Sequence, residues 1–252
     1  MVSGVSPTAS RVRVPLADLE IQVGIAKVSR YAERESGDTV ELTERPTGGV
    51  SVVLADGQGH GRPAKTLANL VARKAVGLIA DGARDGATAR AVSDFLLAYR
   101  HGQVSTEMTI ISVDLSSGTL VVSRNSHCPA VVAMGDEVVR WDAPSVPVGL
   151  YPDTKPTITE IPLQVDVMVV AMSDGIADAG RRSGQSFDIL ATVDRLYRAD
   201  MDAQTVASTL LEEARDLDSG RPADDMSVVC VAMRRLQTGN APRRLSLVWP
   251  VP

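Results

Sequence analysis

The chain has 252 residues, 44% of them hydrophobic and 23% charged, with a formal net charge of -5. That is enough chain for one large domain with a true core, and the acidic balance argues against a nucleic-acid partner. No apolar stretch reaches the length of a membrane span, and MVSGVSPTASRVRVP at the N-terminus lacks the apolar stretch of a signal peptide, so a cytoplasmic location is expected.

Residues 1-18 read as a flexible leader. Residues 19-30 carry mixed alternation and predict a long strand; RESGDTVEL, 34-42, predicts a turn at Gly37-Asp38 and a short strand. Residues 49-55 are a third strand, running into the loop DGQGHG. A helix follows, with Pro63 in its first turn, where proline is tolerated. Leu67, Leu70, Val71, Ala75 and Leu78 give it helical spacing. GARDGA, 82-87, punctuates, and a second helix runs to about Tyr99. TIISVDLSSGTLVVSRN predicts a hairpin turning at Ser116-Ser117-Gly118, and Ala130-Met134 with Glu137-Trp141 a second one. Strands at 158-162 and 167-172, helices at 187-199 and 203-217, and a strand at 226-234 complete a domain spanning 19-235; 236-252 is a peripheral tail.

This order is not the strand-helix alternation of a doubly wound sheet. Hairpins dominate, so the sheets are mainly antiparallel. Yet 50-55 and 167-172 are apolar on both faces and need cover on both sides. Two sheets packed face to face, with helices outside each, satisfy both demands: an α+β sandwich. Cys128 and Cys230 lie in apolar surroundings and fit reduced core thiols better than a disulfide framework or a zinc site.

Chemistry is concentrated at strand ends. VSVVLADGQGHG runs from apolar strand to Asp56 and then to three glycines; VMVVAMSDG ends in Asp174; Asp224 and Asp225 precede the apolar run MSVVCVAM. Carboxylates are the preferred ligands of hard divalent cations. A carboxylate cluster without a cation is costly, because like charges raise one another's pKa. Two cations about 3.5–4 Å apart can activate a bridging water and clamp a phosphoryl group. Taken singly, each acid could be only a turn former or helix cap; together they suggest one metal cluster. His60 on its own reads more readily as a hydrogen-bonding residue than as a catalyst, and His101 and His127 read as structural.

The set SGD (Ser36-Asp38), DGQGHG (Asp56-Gly61), SDG (Ser173-Gly175) and DDMSVV (Asp224-Val229) resembles the metal-dependent type 2C protein phosphatases, in the bacterial branch of the stage II sporulation protein E type. Order and spacing match over roughly 20-235, and the chain is also similar to the stand-alone phosphatases of stressosome and sigma-factor partner-switching pathways. The resemblance implies a four-layer αββα sandwich, two mainly antiparallel sheets flanked by helix pairs, with Mn²⁺ or Mg²⁺, two ions, between the sheet ends. It implies that Asp56 bridges the metals and the Gly57 carbonyl is a ligand, that Asp174 and Asp224 hold the first metal, and that Asp38 lies beside them through metal-bound water. Asp224 falls on the family's usual ligand and Asp225 where other members often have Asn, so both stay candidates. Asp56, Asp174 and Asp38 are the implied catalytic set. The implied reaction is hydrolysis of phosphoserine or phosphothreonine by metal-activated water. The implied substrate is a phosphorylated protein such as an anti-sigma-factor antagonist; the oligomeric state stays open.

Two departures stand out. Gln58 occupies the place of the histidine proposed as general acid in eukaryotic members, and His60 belongs to the bacterial Gly-His-Gly pattern. The eukaryotic phosphate-binding arginine has no clear counterpart, so more reliance on protein docking is expected. The polar segment 176-188 is a candidate flap, with Arg181 and Arg182 facing a phosphate or an acidic partner. Rival readings fare worse. A dinucleotide site at GQGHG fails because Arg62 stands where a third glycine belongs. A dehalogenase-like phosphatase needs an Asp where Gln58 stands. The strongest rival is a pseudophosphatase that binds a phosphoprotein without turnover.

Overall fold

The computed structural model describes residues 18–237 and 242–248. Along the chain run β1 (Leu19–Val28), β2 (Asp38–Glu44), β3 (Gly49–Gly57), α1 (Gly61–Ala80), α2 (Asp85–Arg100), β4 (Thr106–Asp114), β5 (Thr119–Asn125), β6 (Ala130–Met134) and β7 (Glu137–Trp141). Then follow β8 (Thr157–Pro162), β9 (Val167–Met172), α3 (Asp174–Ala177), α4 (Ile189–Arg198), α5 (Ala203–Leu217) and β10 (Met226–Arg235).

Two five-stranded sheets form, ordered β1-β10-β9-β6-β7 and β2-β3-β4-β5-β8. Every named strand pair is antiparallel. The strand period of two divides the apolar residues between layers. On β9 and β10, Met168, Val170, Val228 and Cys230 face the helices, whereas Val167, Val169, Val229 and Val231 face the other sheet. On β3, Val53 and Ala55 pack under α1 and α2, and Val52 and Leu54 join the middle layer. The three apolar layers between helices, sheet, sheet and helices give the expected αββα sandwich. Each fully buried valine or methionine in them contributes roughly 1.5–3 kcal/mol.

The expected punctuation at 82-87 is shorter than the sequence suggests, because α2 begins at Asp85. The Asp85 carboxylate, buried, pairs with Arg45 at 3.5 Å and accepts from the Ser112 hydroxyl. An acid at a helix N-terminus is favoured by the helix dipole, and here it also brings a negative charge to the buried Arg45. The chain crosses between sheets after β8, which pairs with β5, before β9 pairs with β6 and β10. The expected leader 1-18 lies outside the described residues except for Asp18, whose carbonyl accepts from the Leu236 amide at 2.8 Å. Of the expected tail, 242–248 is exposed and Arg243 pairs with Glu44 at 2.8 Å.

Asp202 caps α5: its carboxylate accepts from the Gln204 and Thr205 amides, both at 2.9 Å, and from the Thr205 hydroxyl at 2.7 Å. Asp202→Ala is expected to cost about 1 kcal/mol and lower Tm by about 2–4 °C. Thermal unfolding beside Asp202→Asn, which keeps an acceptor, checks this; equal losses in both variants would discount the cap.

Candidate metal centre

Strand register builds half of the centre. The Cα partners of Asp56 are Asp38 on β2 and Glu107 on β4. Cross-strand partners present side chains to the same face, so three carboxylates stand in a row at one end of this sheet. The other sheet supplies Asp174, just after β9, and Asp224, just before β10. A serine clasp fixes where they emerge: the Ser173 amide donates to the Ser227 carbonyl (3.0 Å), the Ser227 amide to Ser173 Oγ (2.9 Å), and Ser173 Oγ to the Asp225 carbonyl (3.1 Å).

Both Asp-Gly pairs are packing requirements as well as turns. A Cβ at Gly57 would stand 2.2 Å from the Ala64 carbonyl oxygen of α1, and one at Gly175 would stand 2.3 Å from that of Asp225. Either contact would push a helix away from the acid that precedes the glycine.

The acids open onto a cleft of about 320 Å³, lined by Asp56, Gly57, Asp174 and Asp224 together with Arg30, Gln58, His60 and Glu107. Asp56 is pushed up to about 10, first by burial and then by the charges of Asp38, Asp174, Glu107 and Asp224. Asp174 rises to about 6, by burial and then by Asp224 and Glu107. Asp38 is 0% exposed and rises to about 7, mainly by burial. Neither of its carboxylate oxygens makes a hydrogen bond of good geometry; the Ser227 and Ser173 hydroxyls lie close enough only to offset part of the effect of burial. Lys27 and Lys65 donate to its main-chain carbonyl instead, at 2.8 and 2.6 Å. Lys27 falls to about 8, by burial and then by Lys65.

This chemistry fits a hard divalent cation. Buried polar groups are nearly always satisfied, and mutually repelling carboxylates with a poorly partnered member call for positive charge. The donors are oxygens throughout, as Mg²⁺ and Mn²⁺ prefer.

The two adjacent acids separate. Asp224 lines the cleft, whereas the Asp225 oxygens accept from the Arg30 amide (2.9 Å) and the Gly37 amide (2.7 Å), tying down the loop before β2. Gln58 accepts from the Ser105 amide at 2.9 Å, and His60 Nδ1 meets Glu33 Oε1 at 3.0 Å. His101 is the left-handed C-cap of α2, a structural place as expected. The segment expected as a flap is partly helical: α3 occupies 174–177 and a 3₁₀ turn occupies Arg181–Ser183. Arg181 pairs with Asp178 at 3.0 Å, and Arg182 reaches the Ala223 carbonyl at 3.4 Å.

Arg30 and Glu107 were not singled out by sequence. Glu107 had a legible signal, since it is the charged residue at the start of a strand whose register against Asp56 could be counted. Arg30 had none: only the fold carries the end of β1 to the cleft.

Residues 46–234 match the family model described as Stage II sporulation protein E (SpoIIE). The chain belongs to that family. Stage II sporulation protein E of Bacillus subtilis (strain 168) is 22% identical over 232 residues, 92% of this chain and 27% of its own length. Its counterpart in Priestia megaterium is 18% identical, over 85% of this chain and 36% of its own length. The chain therefore spans about a quarter to a third of these curated relatives. Among solved structures, the PP2C phosphatase domain of Bacillus subtilis SpoIIE with a fragment of its regulatory domain superposes with a TM-score of 0.73 at 21% identity, covering 84% of this chain and 63% of that one. The RsbU and RsbW domains of a Mycobacterium tuberculosis protein give 0.71 at 15% identity, covering 86% and 62%. By family the chain is a domain of the SpoIIE type, and its fold is that of the PP2C phosphatase domain of SpoIIE. Among its described residues no helix is long and apolar enough to cross a membrane.

Proposed function

We propose that the domain hydrolyses phosphoserine or phosphothreonine on a protein in the cytoplasm, within a partner-switching or stress-signalling pathway. One observation carries the reading: acids from both sheets line one cleft, and Asp38, fully buried beside Asp56 in register, makes no carboxylate hydrogen bond of good geometry. Asp56, Asp174 and Asp224, with the Gly57 carbonyl and Asp38 behind them, would hold Mn²⁺ or Mg²⁺. Asp225, engaged with two amides, would instead hold the loop. When bound, two such cations supply Lewis-acid activation of water and neutralise phosphoryl charge. The chain's own residues do the rest. The fold holds Asp38 fully buried and Asp56, Asp174 and Asp224 half-buried in the cleft wall, so their geometry is fixed before any ligand arrives. Arg30, which lines the same cleft, is the cation available to meet a phosphoryl oxygen with a charge-assisted hydrogen bond. Gln58 has no acid function, and its bond to Ser105 makes it a wall of the cleft. A phosphorylated anti-sigma-factor antagonist is the substrate this reading favours, given a relative built from RsbU and RsbW domains.

The test is turnover of a phosphoserine peptide and of p-nitrophenyl phosphate in EDTA, Mg²⁺ or Mn²⁺, for wild type and Asp174→Asn. Activity that requires both metal and Asp174 is expected. Metal or phosphoprotein binding without turnover would instead identify a pseudophosphatase.

Arg30→Ala should raise KM about tenfold for both substrates and leave kcat within roughly threefold, the pattern of lost ground-state binding. Unchanged KM on both would remove Arg30 from the phosphate site.

A further inference from the structure

One wall of the cleft holds a second kind of donor set. Among the described residues, Glu107, His127 and Cys128 each offer a ligand atom, all within 4.8 Å of one another. His127 Nδ1 is already in contact with Glu107 Oε1. Three residue types meet here (carboxylate, imidazole and thiol), unlike the all-oxygen cluster beside them.

The set is held from below. The other Glu107 oxygen, Oε2, accepts from Ser126 Oγ at 2.6 Å, and the same Oγ accepts from the Cys128 amide at 3.0 Å. Arg124, itself 3% exposed, donates from Nη1 to the Cys128 carbonyl at 2.7 Å and from Nη2 to the Ala143 carbonyl at 2.7 Å. The β5–β6 turn is therefore fixed on both sides of His127. The Cys128 side chain is buried, whereas the imidazole is exposed and held on one side by its contact with Glu107. Ligand orientation by surrounding hydrogen bonds is the usual support of a metal site.

We propose that Glu107, His127 and Cys128 form a site for a thiolate-binding divalent cation, Zn²⁺ by preference, adjoining the carboxylate cluster and sharing Glu107 with it. Sulfur and imidazole select zinc over Mg²⁺ or Mn²⁺. Zinc takes Cys at about 2.3 Å, His at about 2.0–2.1 Å and carboxylate at about 2.0–2.2 Å, so its ligand atoms lie about 3.3–3.8 Å apart. All three ligand atoms already lie within 4.8 Å of one another, so binding would require only local side-chain adjustment, with the His127–Glu107 contact opening to admit the ion. Coordination releases the Cys128 thiol proton to solvent, and three protein ligands leave the fourth position open to water. Glu107 faces the cleft that Asp56 and Asp174 share. A cation held there draws its charge away from the aspartates, so zinc occupancy is coupled to the phosphatase centre.

The experiment titrates the full chain with Co²⁺, as a spectroscopic stand-in for Zn²⁺, and follows thiolate-to-cobalt charge-transfer absorption, with Zn²⁺ competition giving affinity. The expected band appears in wild type, in Asp56→Asn and in Cys230→Ala, is bleached by one equivalent of Zn²⁺, and is absent in Cys128→Ser. His127→Ala, changed at an exposed side chain that folding does not need, should weaken binding at least tenfold. No band in wild type at saturating Co²⁺, or a band that survives Cys128→Ser, overturns the site. This readout needs no turnover, so its failure is distinct from failure of the phosphatase reading.

Discussion

Asp56→Asn lowers kcat/KM on a phosphoserine peptide by on the order of a thousandfold, about 4 kcal/mol of transition-state stabilisation. Asp56 is the acid that all the others act on: Asp38, Asp174, Glu107 and Asp224 each raise its pKa beyond the effect of burial. Its neighbours in register are acids on both sides, so a cation in the cluster meets it whichever sheet the other ligands come from. The amide keeps the volume and removes the charge, so the loss falls on metal affinity and not on packing. That separation is measurable. In EDTA the variant should unfold no earlier than wild type, because it no longer has a carboxyl that folding forces to take up a proton far above its ordinary pKa, whereas added Mn²⁺ should raise Tm for wild type alone. Near-normal kcat in the variant would remove Asp56 from the metal.

The sandwich was legible because alternation and hairpin turns are local. VMVVAM and MSVVCVAM announce strands covered on both faces, and the structure divides their residues between two apolar layers. Asp56, Asp174 and Asp224 were legible for a related reason, since a charge at the end of a buried strand is an abrupt local event. What escaped depends on pairing between distant strands. Glu107 joins the cluster only through the β3–β4 register. His127 and Cys128, read as a strand-end histidine and a core thiol, acquire a joint meaning only when β4 lies beside the β5–β6 turn. Asp224 and Asp225 could not be separated in sequence, because the amides that occupy Asp225 belong to Arg30 and Gly37, 195 and 188 residues earlier. The start of α2 was misjudged because Gly86 looks like punctuation, while Asp85 is held by Arg45 and Ser112 from another layer.

Asp38→Asn should stabilise the metal-free protein at pH 8 and impair it once metal is present. The wild-type carboxyl has a folded pKa of about 7 against 3.8 for an ordinary aspartate, raised mainly by burial. The fold thus prefers the protonated form. That preference stabilises fully below about pH 4, is lost progressively as pH rises towards 7, and is gone above it, where folding must bury an ionised carboxylate. The amide of the variant carries no such burden. In EDTA the two proteins should therefore unfold together near pH 4, diverge as pH rises, and differ by on the order of a few kcal/mol at pH 8. That is a Tm gain of roughly 5–15 °C for the variant. Saturating Mn²⁺ should invert the order at pH 8, because a ligand that binds the folded state stabilises by its affinity and the wild-type cluster binds the cation more tightly. Thermal unfolding from pH 4 to 8, with and without Mn²⁺, decides it. A gap in EDTA that does not change with pH would mean that Asp38 has a partner for its charge in the absence of metal. An uninverted order in Mn²⁺ would place the cation beyond its reach.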